Sequence, residues 1–262
     1  MFIAHQTFMV RKLVRTSLTA FEVQTMTFDE SVDGYGINQP YYSFHPTSMT
    51  LDPSASSGNG ITVTTSSAYF DTTGTQSGGN YADSKHVGVT LRYHKNEILI
   101  TSVQSATQAT GNIRDELLVH LDNDALETID SSATVYLTFA LHGYSVGDSF
   151  NISEAGSVGG ISANQINGTR TVVEVIDENV FTFTAGGTAN DSVVGGGAPK
   201  IVSHAPTTEW QEQSYSGLRG FPAAIAFHEN RLWLAGTIAQ PDGIWASQTA
   251  FYFNFDIGDA ED

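Results

Sequence analysis

Short runs in which apolar and polar residues alternate recur from one end of the chain to the other. In "FEVQTMTF", Phe21, Val23, Thr25 and Thr27 share one face, and Met26 and Phe28 lie on the other. "ITVTT", "VGVTLRY", "EILITSV", "TVYLTFAL", "RTVVEVI" and "VFTFT" follow the same pattern, rich in β-branched and aromatic residues. Period-two patterning of this kind specifies half-buried strands. Between the runs lie "PSASSGNG", "TTGTQSGGN" and "AGGTANDSVVGGGAP", where glycine supplies the positive φ that tight turns need. The expected fold is all-β, with antiparallel strands in a larger sandwich- or propeller-like domain.

One segment is ambiguous. In "NIRDELLVHLDNDALETI", Ile113, Leu117, Leu118, Leu121 and Leu126 keep roughly helical spacing, and Asn112 is a candidate cap. A strand followed by an acidic loop accounts for the same residues. Composition shifts near Ala133 and again near Pro199, and the stretch between them is rich in glycine. These shifts divide the chain into 1–132, the first part of a β-domain, 133–198, an inserted module, and 199–262, the continuation of the first domain. Four or five strands in so short an insert suit a small barrel-like unit. No fixed repeat is visible.

Charge narrows the partners. The 262 residues hold 11 Lys and Arg against 28 Asp and Glu, a formal net charge of -17. A grip on nucleic acid needs clustered cations, so tight nucleic-acid binding is not expected. A like-charged wall repels a polyanion and suits a conduit through which DNA passes. The chain has no cysteine, which removes disulfides and thiolate metal sites. No apolar run approaches the ~18 residues of a membrane-spanning helix.

Few motifs carry chemistry. "GYSVG", from Gly143 to Gly147, matches the nucleophile elbow in form. That elbow leads from a strand into a helix, whereas "DSFNIS" alternates, so Ser145 is expected in a β-turn. Asp122, Asp124, Glu127 and Asp130 crowd one acidic stretch, but Leu126 stands where a calcium loop needs an oxygen ligand. The histidines lack zinc-site spacing, and there is no phosphate loop or dinucleotide fingerprint. No catalytic residue, metal or cofactor is therefore expected.

Near the end of the chain, "RGFPAAIAFHENRLWLAGTIAQPDGIWASQTAFYFNF" holds His228, Glu229 and Arg231 among aromatics. With Glu229 and Asn230 as a two-residue turn, "AAIAF" and "RLWLAG" form a hairpin. Arg231 then starts the returning strand, where its guanidinium can brace loop carbonyls or a carboxylate. Trp233, Trp245, Phe251, Tyr252, Phe253 and Phe255 supply apolar mass around it.

This segment resembles part of the tail nozzle proteins, or tail tubular protein B, of short-tailed bacteriophages and prophages. The matching positions are Trp210, Ser214, Gly220, Phe221, Pro222, Phe227, Arg231, Leu232, Gly236, Thr237, Pro241, Trp245, Ser247, Asn254 and Phe255. "HQTFMVRKLVRTSLTAFEVQTMTF" is similar to the family's stretch with a His, a Leu-x-Arg and an aromatic strand. The Gly-rich module, with "HGYSVGDSFNIS", "VGGI", "NGT" and "FTFT", looks like a β-insert common in such proteins. The family is longer, so the chain is expected to be an internal or truncated piece.

The resemblance implies a structural virion protein without catalysis, a subunit of the tail nozzle through which DNA is ejected. The partners it implies are copies of itself in a ring, a tail adaptor and other tail proteins, and DNA that passes without specific binding. It places the protein in the virion after synthesis in the bacterial cytoplasm. Two other functions fit the composition: a glycan-binding adhesin module, and a tail-associated depolymerase or esterase that would need Ser145 or a carboxylate pair.

Overall fold

The computed structural model describes residues 1–31 and 36–256. Strands β1 (Phe2–His5), β2 (Phe8–Arg15) and β3 (Phe21–Thr25) form an antiparallel sheet in that order. Strands β4 (Tyr41–Tyr42), β5 (Leu51–Pro53) and β6 (Ile61–Thr65) enter a second, central sheet, and β7 (Gln76–Ser77) and β8 (Asn80–Tyr81) pair as a small hairpin. Strands β9 (Thr90–Tyr93), β10 (Asn96–Ser105) and β11 (Gln108–Ile113) return to the central sheet.

The chain then builds an eight-stranded sheet from β12 (Leu118–His120), β13 (Leu126–Thr128), β14 (Thr134–Thr138), β15 (Ser149–Ser153), β16 (Gly168–Val175), β17 (Val180–Thr184), β18 (Val194–Gly195) and β19 (Lys200–Val202). The short helix α1 (Ala163–Ile166) bridges β15 and β16. Strand β20 (Trp210–Gln213) goes back to the central sheet, completing the order β4-β20-β9-β10-β11-β6-β5. Strands β21 (Ala224–His228), β22 (Arg231–Ala235) and β23 (Ile244–Ala246) form the last sheet. The fold is all-β, as the alternation requires, and the eight-stranded sheet curls into a half-barrel.

The 113–130 segment resolves as strands. Leu117, Val119 and Leu121 are buried at alternate positions, then a turn intervenes, and Leu126 and Thr128 are buried. Helical spacing competes poorly here because Leu118 packs on neither face as fully as its neighbours. Residues 133–198 contribute β14 to β18 and α1, while β12, β13 and β19 from outside that stretch complete the same sheet.

Each of the larger sheets has its own core. Phe150, Phe181, Phe183, Leu126 and Leu137 fill the half-barrel. Leu51, Val63, Leu91, Tyr93, Ile98, Ile100 and Trp210 fill the central sheet. A third core joins the two ends of the described chain: Val10 of β2 and Met26, just after β3, meet Tyr215, Leu232, Leu234 and Phe255.

Candidate functional site

The third core is built from the two segments that carry the resemblance at opposite ends of the chain. The Phe2 ring lies 5.4 Å from Phe227 and 6.4 Å from Phe253, and Phe28 meets Phe255 edge-on at 5.6 Å. Backbone bonds stitch the same seam. Phe221 N donates to Gln6 O at 3.0 Å, Asp29 N to Phe253 O at 3.0 Å, and Phe255 N to Asn38 O at 2.8 Å. Non-local ring pairs of this kind contribute beyond their buried area.

Within that unit, His228, Glu229 and Arg231 separate. His228 pairs with Arg231 across a two-residue turn, and Glu229 and Asn230 have φ of 48° and 57°. Two consecutive positive φ values define the hairpin turn whose twist matches that of its strands. The His228 and Glu229 side chains are exposed at its tip, 3.6 Å apart. Arg231 points back into the sheet and donates from Nη1 to the Ser247 carbonyl at 2.8 Å. Ser247 is buried, and its Oγ accepts from Leu232 N at 2.9 Å. These residues brace the junction of β22 with the turn after β23.

The structure gives the remaining motif positions distinct places. Trp210 lies in the central core, Pro222, Leu232 and Phe255 are buried in or beside the third core, and Trp245 packs against it. Gly220 has φ of +83° and exchanges backbone bonds with Ser216, and a Cβ there would sit 2.9 Å from Ile238. Gly236 accepts a bond from the Gln6 amide at 3.4 Å. Phe227 is 52% exposed. Phe251 and Tyr252 depart from the expected aromatic interior. Ala250 turns with φ of +67°, so the chain reverses there, and both rings face outward, with Tyr252 edge-on to Phe227 at 5.3 Å.

A buried ionic cluster, not signalled by any motif, locks the entry to this unit. Glu212 is fully buried on β20, on the same face as Trp210. Arg219 grips it as a fork, Nε to Oε1 at 2.9 Å and Nη2 to Oε2 at 2.6 Å. The Tyr69 hydroxyl donates to Glu212 and accepts from Arg219 at 3.1 Å. His86 Nδ1 accepts from Asp71 N at 2.8 Å, and its buried Nε2 lies 3.5 Å from Glu212 Oε2 without a hydrogen bond among the described residues. Burial pushes the Glu212 carboxyl up, but His86 and Arg219 outweigh burial and hold it below the ordinary range. Burial, with the adjacent carboxylate, pushes the Tyr69 phenol up, so it stays a donor. The Arg219 plane also stacks over Phe44 at 4.2 Å. A bidentate, stacked guanidinium of this type is a rigid joint between the central sheet and the third core.

Ser145 lies in a turn. Asp148 N donates to Ser145 O at 3.1 Å, Ser145 N donates to the Asp148 carboxylate at 2.7 Å, and Gly147 has φ of +94°. This is a type II arrangement feeding β15. Gly143 serves packing: at φ of +66°, an added Cβ would lie 1.7 Å from the Pro206 carbonyl. Gly143→Ala is therefore expected to destabilise the fold by at least about 2 kcal/mol. Ser145→Ala should stay within about 0.5 kcal/mol of the wild type. Urea unfolding of the two variants side by side checks both.

Two clefts separate the central sheet from the half-barrel. One, of about 600 Å³, is lined by Asp52, Tyr144, Asp148, Asn151 and His204. The other, of about 350 Å³, is lined by His94, Leu118, His120, Phe139 and Glu209. Burial raises the Asp52 carboxyl, while the nearby His204 opposes that. Burial pushes the His94 imidazole down to about 4, so it is neutral at pH 7. Among the described residues, no hydroxyl in either cleft hydrogen-bonds a histidine or a carboxylate. Asp122, Asp124, Glu127 and Asp130 lie exposed along the loop and strand after β12. No helix among the described residues is long and apolar enough to cross a membrane.

No family model matches the chain, and no curated protein matches it. Among solved structures, the phage phi92 endosialidase superposes with a TM-score of 0.29 at 14% identity, over 93% of this chain and 33% of that one. The chain thus spans about a third of the endosialidase's length, and so slight a likeness assigns neither a fold family nor an activity.

Proposed function

We propose that the chain is a structural part of a short-tailed bacteriophage tail, a subunit of the nozzle ring through which DNA leaves. The observation that carries this is the third core. The N-terminal stretch and the Arg219–Phe255 segment each resemble the tail nozzle proteins, and they lie some 200 residues apart. They nevertheless pack into one unit, sealed by Phe2, Phe28, Phe227 and Phe255. The residues matched to that family act as turns, braces and core, which suits a scaffold. A net charge of -17 suits a wall that DNA passes without adhering.

Mass spectrometry of gradient-purified virions tests the assignment. Peptides of this chain should appear among the tail components at a fixed ratio to the portal protein. Their complete absence from infectious particles would overturn it.

A further inference from the structure

Among the described residues, nothing packs against one face of the β2–β3 hairpin. Register places Arg11 opposite Thr25, Leu13 opposite Val23 and Arg15 opposite Phe21, with Ile3 of β1 beside Arg11. These residues therefore share one side of the sheet, while Val10 on the other side enters the third core. On the open side Phe21 is 62% and Val23 58% exposed, and Leu18 at the tip is 86% exposed. Contiguous exposed apolar groups of this kind mark interaction surfaces.

Its charge is anomalous for the chain. Arg11 and Arg15 on the open side are two of only 11 cations in the chain, and Lys12 between them lies on the other side, over the Phe253 ring at 5.7 Å. Among the described residues neither Arg11 nor Arg15 has a carboxylate partner, whereas Arg92, Arg114, Lys200 and Arg219 all do. Arg11 reaches only Thr25, and Arg15 only the Ser17 and Leu18 carbonyls. The hairpin is thus a basic, apolar projection on a strongly acidic protein.

The complement lies on the half-barrel. Glu127 pairs with Val194 at the β13–β18 edge, and the Ser192 hydroxyl ties Asp130 N to the neighbouring loop at 2.8 Å. Glu127, Asp130 and Asp191 are exposed there and have no ion pair among the described residues. Ile129 and Val194 are 42% and 63% exposed beside them. This edge is acidic and apolar, as the hairpin is basic and apolar.

We infer that the β2–β3 hairpin docks on the β13–β18 edge of a second copy of this chain, through Arg11, Phe21 and Val23 against Glu127, Asp130 and Val194. The contact joins two different surfaces, so repeating it generates a closed ring when the rotation closes. Copies with a net charge of -17 repel at long range, and a local cationic patch supplies the attraction and fixes the register. The inference rests on the ring assignment above and names the surfaces through which copies meet.

The test uses the full-length protein and measures association by sedimentation velocity across a concentration series. R11E/R15E should weaken assembly by at least ~10-fold, because like charges then face each other. E127K/D130K should do the same, and the four changes combined on one chain should restore assembly. Phe21→Ser, which leaves the charges intact, should weaken assembly with the thermal unfolding midpoint of the subunit unchanged. If the wild type assembles and the charge variants assemble equally well, the docking surface is wrong and the ring assignment stands. If the quadruple variant fails to recover while each double variant remains folded, the pairing of these two surfaces is wrong. A wild type that stays monomeric at all concentrations overturns both.

Discussion

Replacing Arg219 with Met is expected to lower the unfolding free energy by about 3–5 kcal/mol, because it strands a fully buried carboxylate. For a chain of this size that corresponds to a fall of roughly 10 °C in the unfolding midpoint. The pH dependence gives the sharper signature. In the wild type the Glu212 pKa is depressed when folded. Its contribution is therefore fully present above the unfolded carboxylate value, about 4.3, and is lost as pH falls through the lower folded value. Without Arg219 the upward push of burial dominates, the sign reverses, and the deficit should shrink as the solution is acidified below about pH 5. Adding Glu212→Gln to Arg219→Met should recover part of the loss, since the amide needs no counter-charge. A double-mutant cycle with no coupling between the two positions would contradict the fork geometry.

Trp210→Ala should cost a comparable amount, about 3–5 kcal/mol, for a different reason. The indole is 1% exposed, stacks on the His45 ring at 3.8 Å and meets Tyr69 edge-on at 4.8 Å. Its Nε1 donates to Met49 O at 2.9 Å, and His45 Nε2 bonds the Trp210 carbonyl at 2.7 Å. Truncation opens a cavity in the central core and orphans the Met49 carbonyl. Trp210→Phe should fall between, since it keeps much of the packing and loses the hydrogen bond. Chemical unfolding monitored by far-UV circular dichroism separates the three proteins. If Trp210→Ala were within 1 kcal/mol of the wild type, the residue would not anchor the central sheet.

Much of this architecture is legible in local pattern, and the exceptions have physical causes. Alternation marks β6 and β14 because each buries one face, and "HEN" announces a tight hairpin because only two residues separate its strands. Residues 113–130 mislead because Leu117, Leu118 and Leu121 fit a helical stripe as well as a strand. Burial at alternate positions favours the strand only once β19 is there to pair with β12. The Glu212 cluster has no local signature: Tyr69 and His86 lie more than 120 residues from it in sequence. A trace of it is present in "EWQEQS", where Trp210, Glu212 and Ser214 alternate and so share the buried face. A carboxylate in phase with a core tryptophan calls for a cation, and Arg219 follows seven residues later. The meeting of the chain's first and last segments in one core is a property of topology, which no local periodicity encodes.

The central claim is that this chain belongs to an annular tail assembly. Negative-stain electron microscopy of the purified full-length protein tests it most directly. Ring-shaped particles with an open central channel are expected, and their number should fall when Arg11 and Arg15 are replaced by glutamate. A uniform field of single subunits at every concentration, with no annular particles, would contradict it.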